Sequence, residues 1–246
     1  MKLLYAIRFL TIIPIPYKAD EDMKKVAGST IFYPLVGLII GGLLFLILKI
    51  VGLVFNPATT AVFLISFWAL LTGGLHLDGL SDLVDGLGGG RNREQTLEIM
   101  KDSRIGAFGV ISLILHLFLK WRLSLDLIQA NAWLIFLIIP MFARWNVLLS
   151  ILIFPSARKD GLGSFFKKYC GWYQPLAGGI FSFAAAYLLL GLNAVLAGAI
   201  SSLLALLFSG VISKKLGGLT GDVYGAVIEL SELFLMIAYL CIMVIL

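Results

Sequence analysis

The chain has 246 residues, of which 60% are hydrophobic and 13% charged. A soluble domain carries about a quarter charged residues, so this composition, with a mean hydropathy of +1.01, excludes a soluble fold and points to an all-α, polytopic integral membrane protein. The net charge of +5 includes no basic stripe interleaved with aromatics, which excludes a nucleic-acid surface.

The first segment, MKLLYAIRFLTIIPIP (1–16), has Arg8 inside its apolar run and Pro14 and Pro16 in place of a cleavage pattern. It reads as an amphipathic interfacial helix rather than a signal peptide. Seven hydrophobic spans are then expected, at roughly Thr30–Val54, Thr59–Leu77, Gly106–Leu119, Ala132–Phe154, Pro175–Leu190, Leu192–Ser213 and Ile228–Leu246. The third is short and reaches full length only if Lys120 and Arg122 snorkel to the surface. The fifth and sixth meet in a hairpin at Gly191–Asn193. No long polar linker and no internal repeat divides the chain, so residues 1–246 form one domain.

Basic residues alternate between loops. Lys18, Lys24 and Lys25 precede the first span; Arg91, Arg93, Lys101 and Arg104 follow the second; Arg158, Lys159, Lys167 and Lys168 follow the fourth; Lys214 and Lys215 follow the sixth. The positive-inside rule then places the N-terminus and the 78–104 loop in the cytoplasm, the C-terminus outside, and the protein in the cell membrane as a multi-pass chain.

The polar burst between Leu75 and Gly109 carries the chemistry. Asp78, Asp82 and Asp85 are four and three residues apart, which puts three carboxylates on one face of a helix. Their repulsion at a span end is relieved by divalent metal, and clustered carboxylates suit magnesium bound together with substrate phosphates. Gly86, Gly88, Gly89 and Gly90 are expected to break the helix and free backbone N–H groups for a phosphate. Arg91 and Arg93 supply guanidinium forks, with Lys101 and Arg104 as further cations toward substrate. A second helix over Glu94–Lys101 would deliver Glu98 and Asp102, so that two acidic helix ends make a two-metal clamp. The pattern reads as a membrane enzyme acting on a phosphate or diphosphate compound.

Other polar residues sit within or beside the spans. His76, one turn before the acidic row, is placed for metal or substrate. Arg144 lies inside the fourth span, as a carboxylate partner or as a phosphate ligand, and His116 reads as an interior histidine. Asp222 precedes the last span, and Glu229 and Glu232 share a helix face pointing into the bundle, as substrate groups or their supports. Arg158, Lys159, Lys167 and Lys168 read as topology charges, with nucleotide or corrin contact as the alternative. Cys170 and Cys241 lack zinc spacing, and no disulfide or zinc site is expected.

The stretches HLDGLSDLVDGLGGGR and LEIMKDSRIGAFG, with RFLTIIPIP near the start and TGDVYGAVIELSE near the end, resemble the cobalamin synthase family of adenosylcobinamide-GDP ribazoletransferases. The resemblance implies a membrane enzyme late in cobalamin assembly. Such an enzyme joins adenosylcobinamide-GDP to α-ribazole or its 5′-phosphate, releases GMP and requires Mg2+. Under it, Asp78, Asp82, Asp85 and Asp102 hold magnesium, and Asp82, Asp85 and Asp102 carry catalysis, with Asp102 as proton acceptor. His76, Arg91, Arg93, Lys101, Arg104, Arg144, Asp222 and Glu229 face substrate; homo-oligomerisation stays open. Asp82-x-x-Asp85-Gly86 also resembles the start of the CDP-alcohol phosphotransferase motif. Arg91 lies two residues late for that motif, and Gly106 stands where a fourth aspartate would fall. An intramembrane prenyltransferase and a divalent-cation transporter are the rival readings.

Overall fold

The computed structural model describes residues 2–15 and 23–245; Pro16 and Lys18 lie outside the described residues. It contains α1 (Lys2–Leu10), α2 (Met23–Ala27), α3 (Tyr33–Val51), α4 (Pro57–Leu71), α5 (Leu75–Gly89), α6 (Arg93–Ile99), α7 (Ala107–Gln129), α8 (Ile135–Ile153), α9 (Leu162–Tyr169), α10 (Tyr173–Leu190), α11 (Leu192–Leu216) and α12 (Gly221–Ile245). Among the described residues there is no strand, only one bridge pairing Ser156 with Leu219. The protein is thus an all-α membrane bundle. Six helices are long and apolar enough to cross a bilayer, or seven when the bent pair α4–α5 counts as one span.

The core is built around α8, whose residues from Ile138 to Leu148 are all buried. Gly37 and Gly41 of α3 face it; a Cβ on either would lie within 2.5 Å of the α8 backbone at Pro140 or Leu137. This small-xxx-small spacing lets two helix backbones touch, the packing that replaces the hydrophobic effect in lipid. α12 closes the core against α8, α11, α5 and α7.

Three expectations need correction. The second span does not run on into the acidic segment: it stops at Leu71, and α5 leaves at 88° to α4. Gly73 and Gly74 make this turn at φ +64° and +68°, a left-handed backbone that side chains with a Cβ rarely adopt. The third span is 23 residues long without snorkelling, because Lys120 points into the bundle and is buried. The last span begins at Gly221, so Asp222 stands in its first turn rather than in a preceding loop.

α1 buries Tyr5, Ala6 and Leu10 against the protein. Just beyond it, the Ile12 N–H donates to the Leu71 carbonyl at 2.9 Å, which ties the segment to the end of α4. α6 and the loops that follow α8 and α11 meet at one end of the bundle. Arg93 Nε donates to Leu216 O at 2.7 Å and Nη2 to Ala157 O at 2.9 Å, and Arg158 Nη2 donates to Leu97 O at 2.9 Å. Three of the four basic segments expected on one side, those of Arg93, Arg158 and Lys214–Lys215, therefore lie together.

Candidate active site

After its turn, α5 lies across the N-termini of α7 and α12, at the end of the bundle rather than through it. Glycine permits the crossing. A Cβ at Gly79 would come 2.7 Å from the Asp222 carbonyl oxygen, and one at Gly225 would come 3.2 Å from the His76 backbone. Asp85 fastens the other crossing: its two carboxylate oxygens accept the N–H groups of Gly106 and Gly109, each at 2.7 Å. These are N-terminal donors of α7 that have no partner within the helix, and a carboxylate there also meets the positive end of the dipole. Asp85 is buried and acts as the clamp that sets α5 on α7.

The remaining carboxylates of the row face a fourth from α12. Half-buried Asp82 is pushed up to about 6, first by burial and then by the negative charges of Asp78, Asp222 and Asp85. Against them stands Arg158, whose Nη1 is 4.0 Å from Asp222, and the Thr220 hydroxyl, which donates to Asp222 at 3.2 Å. Negative charge at this end is thus undercompensated. The sequence had placed Asp222 beside substrate; the structure brings it to the acidic row itself. Arg158, read from sequence as a topology charge, is the cation next to it, and its loop position carried no signal of that.

Asp102 does not complete the clamp. It sits past the end of α6 and pairs with Arg104, Nη2 to Oδ2 at 2.6 Å, in an exposed loop. Hydrogen bonds from Arg104 pull its carboxyl down to about 2, far below what a base working near neutrality needs. Glu98, on the same short helix, is exposed as well. The glycine run does not form a phosphate loop either, since α5 continues through Gly89. A Cβ at Gly86 would meet Met100 at 2.5 Å, and one at Gly88 the Phe108 ring at 2.6 Å; the glycines admit α6 and α7. Arg93 uses its guanidinium on the carbonyls of Leu216 and Ala157. Arg91 and Lys101 are exposed, and among the described residues no hydrogen bond or ion pair engages their cationic groups; the Arg91 N–H donates to Gln95 Oε1 at 3.1 Å.

Arg144 and Glu229 belong to a different place. In mid-bundle, Glu229 accepts from Lys120 at 2.9 Å and lies 2.8 Å from His116 Nε2. Glu232 accepts from Lys120 and from Arg144, and Lys120 also sits 4.1 Å over the Trp68 ring. Two glutamates thus meet two cations and a histidine, all buried. His76 is buried between this network and the acidic end, within electrostatic reach of Arg144, Glu229 and Lys120.

Beside the acidic row opens a cleft of about 650 Å³, open solvent at its mouth included. Its walls come from α1 (Phe9, Leu10), the start of α3 (Tyr33), α5 (Leu75, His76, Asp78, Gly79), α8 (Val147, Ile151), α9 (Phe166) and α12 (Gly221, Asp222, Tyr224, Gly225, Ile228). Phe9, Leu10 and Tyr224 went unremarked in the sequence, although RFLTIIPIP and TGDVYGAV, the stretches that contain them, were singled out there.

Among the described residues no three His, Cys, Asp or Glu side chains are gathered as a ready metal cage. Magnesium does not require one, since it keeps several waters and commonly takes one or two carboxylates plus substrate phosphates. The carboxylates of Asp78, Asp82 and Asp222, undercompensated by protein cations, have the hard oxygen chemistry that suits it.

A helical membrane bundle with an acidic cluster and an adjoining cleft at one end defines a polytopic membrane enzyme. The sequence model of the cobalamin-5-phosphate synthase family matches residues 2–240. Curated relatives named adenosylcobinamide-GDP ribazoletransferase include one from Brevibacillus brevis, 44% identical over 93% of this chain and 93% of its own length. Another, from Desulfitobacterium hafniense, is 40% identical over 96% and 95%; one from Clostridium tetani is 32% identical over 98% and 96%. No solved structure matches. The chain belongs to the cobalamin-5-phosphate synthase family and is an enzyme of cobalamin biosynthesis.

Proposed function

We propose that this protein joins adenosylcobinamide-GDP to α-ribazole, or to α-ribazole 5′-phosphate, releasing GMP in a magnesium-dependent step at the cytoplasmic face of the cell membrane. A ribose hydroxyl of the acceptor attacks the cobinamide-linked phosphorus. The new P–O bond forms as the bond to the bridging oxygen breaks, and GMP departs with that oxygen. Asp78 and Asp222 would hold magnesium, which supplies charge neutralisation at the diphosphate when bound. Asp82, half-buried in the same acidic row, would take the hydroxyl proton. Asp85 keeps the row in place through α7. Arg91, exposed and unengaged, is free to fork onto a phosphate.

The observation that carries this reading is the undercompensated carboxylate cluster beside a cleft, in a chain whose relatives bear the transferase name. Purified protein in lipid nanodiscs, given adenosylcobinamide-GDP, α-ribazole and Mg2+, should release GMP and form the coupled corrinoid in equal amounts, and EDTA should stop both. Hydrolysis of the diphosphate without coupling would refute the transferase reading.

A further inference from the structure

The short helices α1 and α9 are joined by their apolar faces. Phe9 of α1 stacks on Tyr33 with ring centroids 6.2 Å apart and meets Phe166 of α9 edge-on at 5.3 Å, and Tyr33 meets Phe166 at 6.3 Å. Outward, the pair is basic. Lys2 and Arg8 on α1 and Lys168 in the last turn of α9 are exposed, and among the described residues no hydrogen bond or ion pair engages them. Lys167, by contrast, turns inward and donates to the Ile151 and Leu152 carbonyls at 3.0 and 2.6 Å. Neither helix contains Asp or Glu. The nearest acids in the chain are Asp160, which precedes α9, and Asp20, Glu21 and Asp22, which lie outside the described residues. The neighbours mark the level of this surface. Trp172 and Tyr173 are exposed, with perpendicular rings 6.5 Å apart, at the start of α10, which is long and apolar enough to cross a bilayer. Exposed Trp and Tyr at the end of such a helix sit among headgroups. α9 ends at Tyr169, just before them, and α1 is fastened to α9, so both helices lie at that level. Leu4 and Ile12, four residues to either side of Arg8, are exposed as well.

We propose that the outward face of the α1–α9 pair binds the anionic phospholipid headgroups of the bilayer. Lys2, Arg8 and Lys168 meet the lipid phosphates, and Leu4 and Ile12 reach the upper acyl carbons. The composition selects this partner. Unpaired cations interleaved with exposed apolar side chains are what a helix lying in a membrane interface presents. A soluble phosphate or nucleotide would pair the cations and leave Leu4, Ile12 and Trp172 in water. A zwitterionic lipid would cover the apolar residues and leave the cations without a net counter-charge. The inner face of the same pair supplies Phe9, Leu10 and Phe166 to the cleft wall, so bilayer and cleft share one pair of helices.

Native mass spectrometry of the full chain in detergent, titrated with phosphatidylglycerol or with phosphatidylcholine, tests this without turnover, so its result is independent of the transferase reading. One cation at an anionic surface is worth about a fivefold change in affinity. Arg8→Gln should weaken phosphatidylglycerol binding by about that factor. The triple variant Lys2→Gln/Arg8→Gln/Lys168→Gln should bind the two lipids alike. Lys214→Gln/Lys215→Gln, which removes two exposed lysines at the end of α11, should keep the wild-type preference. Melting in the same micelles is the second readout: phosphatidylglycerol should raise the Tm of the wild type and of the α11 variant, and not that of the triple variant. All five side chains are exposed, so the lipid-free Tm should match the wild type in every variant. A wild type that binds both lipids equally overturns the proposal, as does a preference that survives in the triple variant. A preference lost equally in the α11 variant would mean that any charge on that side suffices, and overturns it too. Displacement of phosphatidylglycerol by adenosylcobinamide-GDP would assign the cations to substrate instead of lipid.

Discussion

Two groups of charged residues, one at the end of the bundle and one in its middle, obey opposite rules. In the middle, Lys120 and Arg144 meet Glu229 and Glu232, and His116 completes the set. Charge cancels there, as low dielectric demands. At the end, Asp78, Asp82 and Asp222 crowd together with Arg158 as their neighbouring cation, and burial, then the charge of its neighbours, raises the pKa of Asp82. A buried network whose charges cancel serves to fix α7, α8 and α12 in register, although Arg144 Nε and Nη2 have no hydrogen-bond partner among the described residues. An unbalanced cluster is stabilised further when a cation or a cation-bearing substrate binds it. Compensation, rather than the mere presence of ionisable groups inside a membrane protein, separates framework from site.

The contrast can be broken from either side. The largest effect is expected for Asp82→Asn, which should cost about a hundred- to ten-thousandfold in kcat, the scale of a lost acid–base group, with insertion intact. Stability should hold or rise. Wild-type Asp82 ionises near 6 when folded but near 3.9 when unfolded. Metal-free wild type should therefore lose stability as pH climbs through that interval, and the Asn variant should lose less. Thermal melting across pH, beside the GMP assay, checks both. Glu232→Gln should do the reverse. Stranding part of the Lys120 and Arg144 charge should destabilise by about 3–5 kcal/mol, seen as a lower melting temperature in detergent, with acceptor and donor KM unchanged in the protein that remains folded. Near-normal stability would mean that the network is not framework.

The smallest effects separate two neighbouring arginines. Arg91→Lys should lower kcat/KM for adenosylcobinamide-GDP by roughly 1–3 kcal/mol, the range of a hydrogen bond to a charged group, and leave melting unchanged. Arg93→Lys should lower the melting temperature, because only the fork spans Leu216 O and Ala157 O together. If both changes fall on the same quantity, the division between the two arginines fails.

Much of this was legible in the sequence. Composition gave the membrane class, basic loops gave a shared side, and the four- and three-residue spacing gave a common face for Asp78, Asp82 and Asp85. The motifs gave the family. What escaped was long-range. Asp85 looked like a ligand because nothing local shows that α7 will bring Gly106 and Gly109 to it. The glycines after it looked like a phosphate loop because their sequence cannot say whether open space or a packed helix lies beyond. Lys120 looked like a snorkelling end because its partners are over a hundred residues away. The turn at Gly73–Gly74 also hid in the sequence, and without it Asp222 could not be placed against the row. Local spacing reports which residues share a face; only tertiary packing reports what that face meets.

The central claim is that the acidic end, and not the mid-bundle network, holds the divalent ion. Titration of Mn2+ followed by electron paramagnetic resonance, with adenosylcobinamide-GDP present, tests it most directly. The wild type should show saturable binding that is lost in Asp78→Asn/Asp222→Asn and kept in folded Glu229→Gln. Binding that survives the double aspartate change, or disappears with Glu229→Gln alone, would contradict the account.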